Sequence, residues 1–271
     1  PVWEEVIIHL PRQVKLVCLS ATVSNANEVA DWISTVRGPT KYVVEEKRPV
    51  ELENLYMVGD KTAQREHLFP TLVSGRPNPE AARLEDLTRK IGGRGPVKGR
   101  PRRALYTPSR VEVVDRLNEE GLLPSIFFIF SRNGCNEAAQ SCLKQGLRLT
   151  SPDERKRIKE IIDSRLDDID DDDLDVLGYP QFVAQLEAGI AAHHAGLVPP
   201  FKETVEACFV EGLVKIVFAT ETLAVGINMP ARSVVIEKLS KFTGEHHEFL
   251  TAGEFTQLTG RAGRRGLDDK G

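Results

Sequence analysis

The chain has 271 residues, 41% of them apolar and 28% charged, with a formal net charge of −4. That is enough apolar chain to bury a core in one large or two smaller domains, and it excludes wholesale disorder. No globally basic surface advertises nucleic-acid binding, so any such reading must come from local sites. No run approaches the roughly 18 consecutive apolar residues of a membrane-spanning helix, so no membrane partner is expected. The opening Pro-Val-Trp-Glu-Glu is neither a signal peptide nor an initiator Met, so the chain reads as cut from a longer protein. Its four cysteines form no CxxC pair; Cys18 and Cys208 sit in apolar runs and are expected as buried thiols in a reducing cytoplasm.

In chain order, Lys15–Ser20 reads as a buried strand, and residues 26–36 carry helical spacing that Gly38-Pro39 stops. Tyr42–Val44 reads as the next strand. Arg48-Pro49 then opens an extended passage through Leu52, Leu55 and Met57, taken as the crossing between two domains. Residues 74–103 lack apolar periodicity and read as a loop or insertion. Arg89–Arg103 within it holds seven Lys or Arg and no acid, either a solvated linker or a phosphate-contacting arm. A helix over 108–120 precedes Ile126–Phe130, the clearest strand, and another helix is expected over 135–145. Ser151-Pro-Asp-Glu154 is a capping box opening an amphipathic helix. Asp167–Asp175 holds seven aspartates and reads as a solvated acidic turn, since it lacks the Gly and Glu of a calcium loop. Further helices are expected over 180–188, from Pro199-Pro200 to Gly212, and over 252–262, with strands at 215–220 and 233–238. Alternating strands and helices imply an α/β fold, a parallel sheet covered on both faces.

Ligands of open parallel sheets bind at the carboxyl ends of the strands, so the loops there carry the candidates. Ser20-Ala21-Thr22 places small hydroxyls after a strand, although such residues also cap helices. His193-His194 suggests a metal, but no Cys or carboxylate lies at ligand spacing, so packed structural histidines are the expectation. Phe218–Pro230 sets Glu221 between Thr220 and Thr222, then Gly226 and Asn228, an arrangement suited to phosphate and sugar. Gln257–Gly266 carries three arginines in five residues, with Gly260 and Gly263 allowing close approach. A guanidinium binds phosphate through two parallel hydrogen bonds. On a helix, Arg261 and Arg264 are three apart and face the same side.

In this order and spacing the segments resemble the motifs of superfamily 2 DExH-box helicases, the Ski-type RNA helicase branch in particular. Ser20-Ala21-Thr22 resembles the third motif, Phe130-Ser131-Arg132 sits like the fourth, Thr220–Pro230 looks like the fifth, and Gln257–Arg264 like the sixth. His193–Leu197 is similar to a segment of that branch. The resemblance implies RecA-like sheets: residues 1–50 ending a first, ATP-binding domain, and 51–271 forming a second, with insertions near 74–103 and 150–178. It implies Arg264 and Arg261 as arginine fingers toward the γ-phosphate, and Gln257, Gly260, Gly226 and Asn228 on the nucleotide face. Ser131, Arg132, Thr220, Glu221 and Thr222 would hold a single strand of nucleic acid, RNA by this branch. Ser20, Ala21 and Thr22 would couple hydrolysis to domain movement. The cofactor implied is ATP with Mg2+, the partners the rest of the first domain and C-terminal accessory domains, and the polarity 3′-to-5′.

The phosphate-cradling G-x-x-x-x-G-K-[ST] string does not occur, and Gly59-Asp60-Lys61-Thr62 lacks its glycines. The Asp-Glu pair that holds magnesium is missing as well. The chain by itself is therefore expected not to hydrolyse ATP, whereas the intact protein is. Two other readings share these motifs: a translocase that does not unwind, and a non-catalytic docking module, which would have no need of Arg261 and Arg264.

Overall fold

The computed structural model describes residues 2–20, 25–45, 47–60, 64–80, 83, 105–167, 169–224, 229–242 and 245–271. Helix α1 (Val2–His9) comes first and α2 (Ala26–Arg37) next. Gly38, at φ 103°, ends α2 by donating its N–H to Ser34 O at 2.9 Å. Arg37 Nη2 donates to the carbonyls of Pro11 and Val14, both at 2.9 Å, and so ties α2 to the loop after α1.

The strands expected at Lys15–Ser20 and Tyr42–Val44 do not form. Both passages lack regular structure and pair with no described strand, with Val17 86%, Leu19 92% and Val43 83% exposed. An extended run becomes a strand only when a neighbour completes its hydrogen-bond ladder and an apolar layer covers its face. No described segment does either. Cys18 lies in the first passage and is exposed, contrary to expectation, whereas Cys208 is buried.

Next comes an antiparallel sheet. β1 (Leu55–Asp60) pairs with β2 (Arg65–Pro70), the short hairpin β3 (Leu72–Val73) and β4 (Arg76–Pro77) follows, and β5 (Leu105–Tyr106) joins the other edge of β1. Tyr106 lies so close over β1 that a Cβ on Gly59 would fall 2.4 Å from its ring. The basic arm Arg89–Arg103 lies outside the described residues.

Helix α3 (Arg110–Glu119) starts at a capping box of Ser109 and Glu112. After β6 (Ser125–Phe128), α4 (Arg132–Lys144) begins earlier than its apolar pattern suggests, because Ser131 Oγ caps it by accepting from Gly134 N at 3.2 Å. α5 (Pro152–Leu166) opens at the expected box: Ser151 Oγ accepts from Glu154 N at 3.2 Å and Glu154 Oε2 from Ser151 N at 2.8 Å. The aspartate run is not a plain turn. It carries the short helix α6 (Asp171–Val176), because Leu174 in its middle is buried in the core. There follow α7 (Tyr179–Glu187), β7 (Ile190–His193), α8 (Pro199–Val210), β8 (Ile216–Ala219), a 3-10 turn at Glu221–Ala224, and β9 (Ser233–Ile236). The hairpin β10 (Ser240–Phe242) and β11 (His247–Phe249) precedes α9 (Ala252–Thr259).

β7, β8, β6 and β9 lie side by side in that order, every pairing parallel. Their side chains alternate between two cores. Ile126, Phe128, Ala191, Val217 and Ala219 pack with α5, α7 and α8; Phe127, Ile190, Ala192, Ile216 and Phe218 pack with α3 and α4. Aromatic pairs pin both layers, Phe182–Phe201 stacked at 4.1 Å and Phe127–Phe218 edge-on at 5.2 Å. This is the RecA-like α/β arrangement, helices on both faces of a parallel sheet, and it leaves the strand carboxyl ends to form the site.

Candidate functional site

Three strand ends meet at one edge of the sheet. Thr220 N donates to His193 O at 3.3 Å and Ile129 N to Ala219 O at 2.8 Å, so the loops after β6, β7 and β8 run abreast. Ser131 spends its hydroxyl on capping α4, which aims Arg132 outward as the first helical residue. Arg132 is exposed and has no hydrogen-bond acceptor among the described residues. Beside it, buried His194 accepts from Gly196 N on Nδ1 at 3.1 Å, so its proton sits on Nε2, facing Asn136 Oδ1 at 3.0 Å. Burial first, then the charges of Arg132 and His193, hold its pKa below the ordinary histidine value. His193 Nε2 meets Glu206 Oε1 at 2.9 Å. Both histidines are buried, and no cluster of three potential metal ligands occurs among the described residues.

Thr220 is buried, with its Oγ1 2.9 Å from Thr222 Oγ1, whereas Glu221 and Thr222 are exposed. Lys241 on β10 bridges Glu221 Oε2 at 3.0 Å and Glu254 Oε1 at 2.5 Å. Glu254 also closes the capping box of α9 with Thr251. Lys241, then the Thr251 N–H, pull the Glu254 carboxyl down to about 2. One ammonium therefore ties the loop after β8 to the start of α9, a link no motif signalled.

α9 stops at Thr259, so Arg261 and Arg264 do not share a helix face as the spacing suggested. Gly260 caps it, in a place where a Cβ would fall 2.9 Å from Thr256 O, and Gly263 at φ 85° turns the chain away. The resulting loop pairs with the residue after the Thr220–Pro230 segment. Ala231 N donates to Arg261 O at 2.9 Å and Gly263 N to Ala231 O at 2.8 Å. Gln257 is exposed on α9, and Arg261 is half-buried, desolvation lowering its pKa.

Arg264 is held by Asp268, which the sequence reading missed. Asp268 Oδ2 accepts from Arg264 N and Nε, both at 2.8 Å, and Oδ1 from Nη2 at 2.7 Å. The Asp268 side chain is fully buried, with Arg232 Nη1 3.5 Å from Oδ1. Arg264 first, then Arg232, hold the Asp268 carboxyl below its usual range, while the bond to Asp268 raises the Arg264 pKa. Nη1 of Arg264 has no partner among the described residues. An acid four residues after the arginine was the available signal.

Ala21, Thr22, Gly226 and Asn228 lie outside the described residues. Ser20 is exposed, makes no hydrogen bond among them, and joins neither cluster.

Residues 167–266 match the family described as the helicase conserved C-terminal domain. The chain carries a helicase C-terminal domain. The helicase match takes in β7, β8, the Lys241 bridge and the arginine loop through Gly266; Arg132 and Asp268 fall outside it. The full chain is also similar to helicases of the DExH-box type. It is 51% identical to the probable helicase HelY of Mycobacterium tuberculosis, 36% to the exosome RNA helicase MTR4 of Homo sapiens and 37% to the DExH-box ATP-dependent RNA helicase DExH10 of Arabidopsis thaliana. All of this chain is covered in each case, but only 31%, 26% and 28% of those proteins, so the chain spans under a third of their length. No described helix is long and apolar enough to cross a membrane.

Proposed function

We propose that this chain is part of an ATP-dependent RNA helicase, with residues 1–50 ending one RecA-like unit and 51–271 forming the second. The observation that carries the reading is the pairing of the arginine loop with Ala231, beside a guanidinium whose Nε edge is anchored on buried Asp268. An arginine presented this way suits a phosphate: one edge is fixed, Nη1 is open, and the charge is permanent. The residues fit ATP in that sense. Arg264 and Arg261 would face its γ-phosphate, with Gln257 and Gly260 beside them and Gly226 and Asn228 completing the nucleotide face. ATP, when bound with Mg2+, supplies the phosphoryl transfer that drives movement.

The chain's own residues then do two things. Arg264 stabilises charge on the transferring phosphoryl group, an effect on the order of a thousandfold or more. Arg132, unpaired and exposed, takes a backbone phosphate of the nucleic acid at the sheet edge, beside the exposed Thr222 hydroxyl; Ser131 supports the contact by capping the helix that starts at Arg132, and Thr220 by its hydroxyl contact with Thr222. Lys241 offsets the charge of Glu221, which leaves that carboxylate able to accept from a ribose 2′-hydroxyl without repelling the strand. Ser20, Ala21 and Thr22 couple turnover to the relative movement of the units, and strand translocation runs 3′-to-5′.

The test is ATP hydrolysis by the full-length protein with and without single-stranded RNA, beside Arg264→Ala. RNA-stimulated turnover in the wild type, with a loss of about a thousandfold in the variant and ATP binding kept, is the expected result. A variant that matches the wild type removes Arg264 from the reaction. A wild type that is inactive in every condition moves the chain to the docking-module reading.

A further inference from the structure

The arginine loop touches its own sheet through Ala231, but its outer side is closed by residues more than 200 positions earlier in the chain. Arg48 Nη2 donates to Ala262 O at 3.0 Å, while its Nε donates to Val50 O at 3.3 Å. Val50 is 4% exposed and packs on Gly263, where a Cβ would lie 2.7 Å from Val50 Cγ1. Gly263 is therefore needed twice, for its positive φ and for the room Val50 occupies. Beyond it, Gly271 N donates to Glu51 O at 2.8 Å and Glu53 N to Gly271 O at 2.9 Å, around a parallel bridge of Glu51 with Lys270. A five-residue stretch, 49–53, thus runs along the segment that carries both Arg264 and its anchor Asp268.

We infer that residues 48–53 hold the arginine loop in its working position, and that Arg48 and Val50 are positioning residues for Arg264. The inference rests on the assignment of Arg264 as a finger. Residues 48–53 are also where the chain passes from one proposed unit to the other. A change of angle between the units then reaches the arginine loop directly, through the Arg48–Ala262 bond and the Val50–Gly263 contact, and need not travel through the parallel sheet. On this assignment both residues act through the loop, by the Arg48–Ala262 bond and the Val50–Gly263 contact. A displacement of about 1 Å at a catalytic group costs on the order of a hundredfold in rate, so a loosened loop should show in turnover and not in ATP affinity.

The experiment uses the full-length protein with Val50→Ala and Arg48→Gln, each alone and combined with Arg264→Ala. Turnover at saturating RNA and the KM for ATP are measured, together with amide hydrogen exchange at Gly263, Gly271 and Ile126–Phe128. Each single variant is expected to lose turnover about tenfold to a hundredfold with KM within about twofold. In the Arg264→Ala background the further loss should be under about twofold, because residues acting through one group are not additive. Exchange should quicken at Gly263 and Gly271 and stay unchanged in β6. Unchanged turnover, a loss that simply multiplies with that of Arg264→Ala, or equal loss of protection in β6 overturns the inference. If Arg264→Ala keeps wild-type turnover, the finger assignment itself fails and this inference falls with it; if Arg264→Ala is inactive while both linker variants are normal, only the inference fails.

Discussion

Two short apolar runs make an instructive pair. Ile126–Phe128 and Lys15–Ser20 both follow a helix and precede another, and both have the composition of a buried strand. In the first, the three side chains are at most 1% exposed, and β8 and β9 hydrogen-bond to its two edges. In the second, Val17 and Leu19 stand 86% and 92% in solvent, with no ladder on either side among the described residues. Composition nominates a strand, but neighbours make one. An apolar run gains its free energy from area removed from water, roughly 25 cal/mol per Å2, and only a covering layer removes that area.

The contrast can be sharpened by truncating side chains in both regions. Phe218→Ala, which opens a cavity against Phe127 in the buried sheet, should cost about 4 kcal/mol of stability in denaturant titrations. A cost under about 1 kcal/mol would mean that the sheet is far softer than its packing implies. Asp268→Asn should cost about 3 kcal/mol at neutral pH, since it leaves Arg264 and Arg232 facing a neutral amide in a buried place. The pH dependence follows in sign. The Asp268 pKa is lower folded than unfolded, so its contribution is present above the ordinary aspartate range near about 4 and is lost as pH falls through its folded value. Melting curves of wild type and variant should therefore converge on acidification; a constant gap breaks the assignment. Ser151→Ala should cost about 1 kcal/mol by removing the cap of α5, with loss of helical circular dichroism confined to that scale. Smallest of all, Leu19→Ala in this chain should change stability by less than about 0.5 kcal/mol. In the full-length protein the same change should cost about 2 kcal/mol or more if residues 15–20 join the sheet of a preceding unit. Equal, negligible effects in both would break the proposed division at residue 50.

The parts legible in the sequence were those decided locally. β6, β8 and β9 are buried or half-buried on both faces and so read as apolar runs, and the Ser151 and Gly38 signals describe their own caps, whereas β7 was not among the expected strands. The candidate loops after β6 and β8 were legible because odd residues follow strand ends. What stayed hidden depends on approach from afar. The end of α9 at Thr259 is enforced by Gly263 turning toward Val50, and Lys241 meets Glu221 and Glu254 only because a hairpin folds back between them. Leu174 converts an acidic stretch into a helix by finding a core that no local pattern reveals. Arg264 was singled out as a candidate beside Gly260 and Gly263, but its partner Asp268 was not: it lies four residues on, beyond the end of α9 and next to a second acid, Asp269, so the i, i+4 signal was not read as a pair.

Asp268 has one more consequence, which concerns disorder and not charge. A free arginine side chain samples many rotamers, and freezing it costs on the order of 2 kcal/mol of entropy. With backbone N, Nε and Nη2 all engaged on one buried carboxylate, Arg264 gives up that freedom when the chain folds. On the proposed assignment, a phosphate reaching Nη1 would meet a side chain already ordered, and the cost of that order would be carried by the stability of the fold.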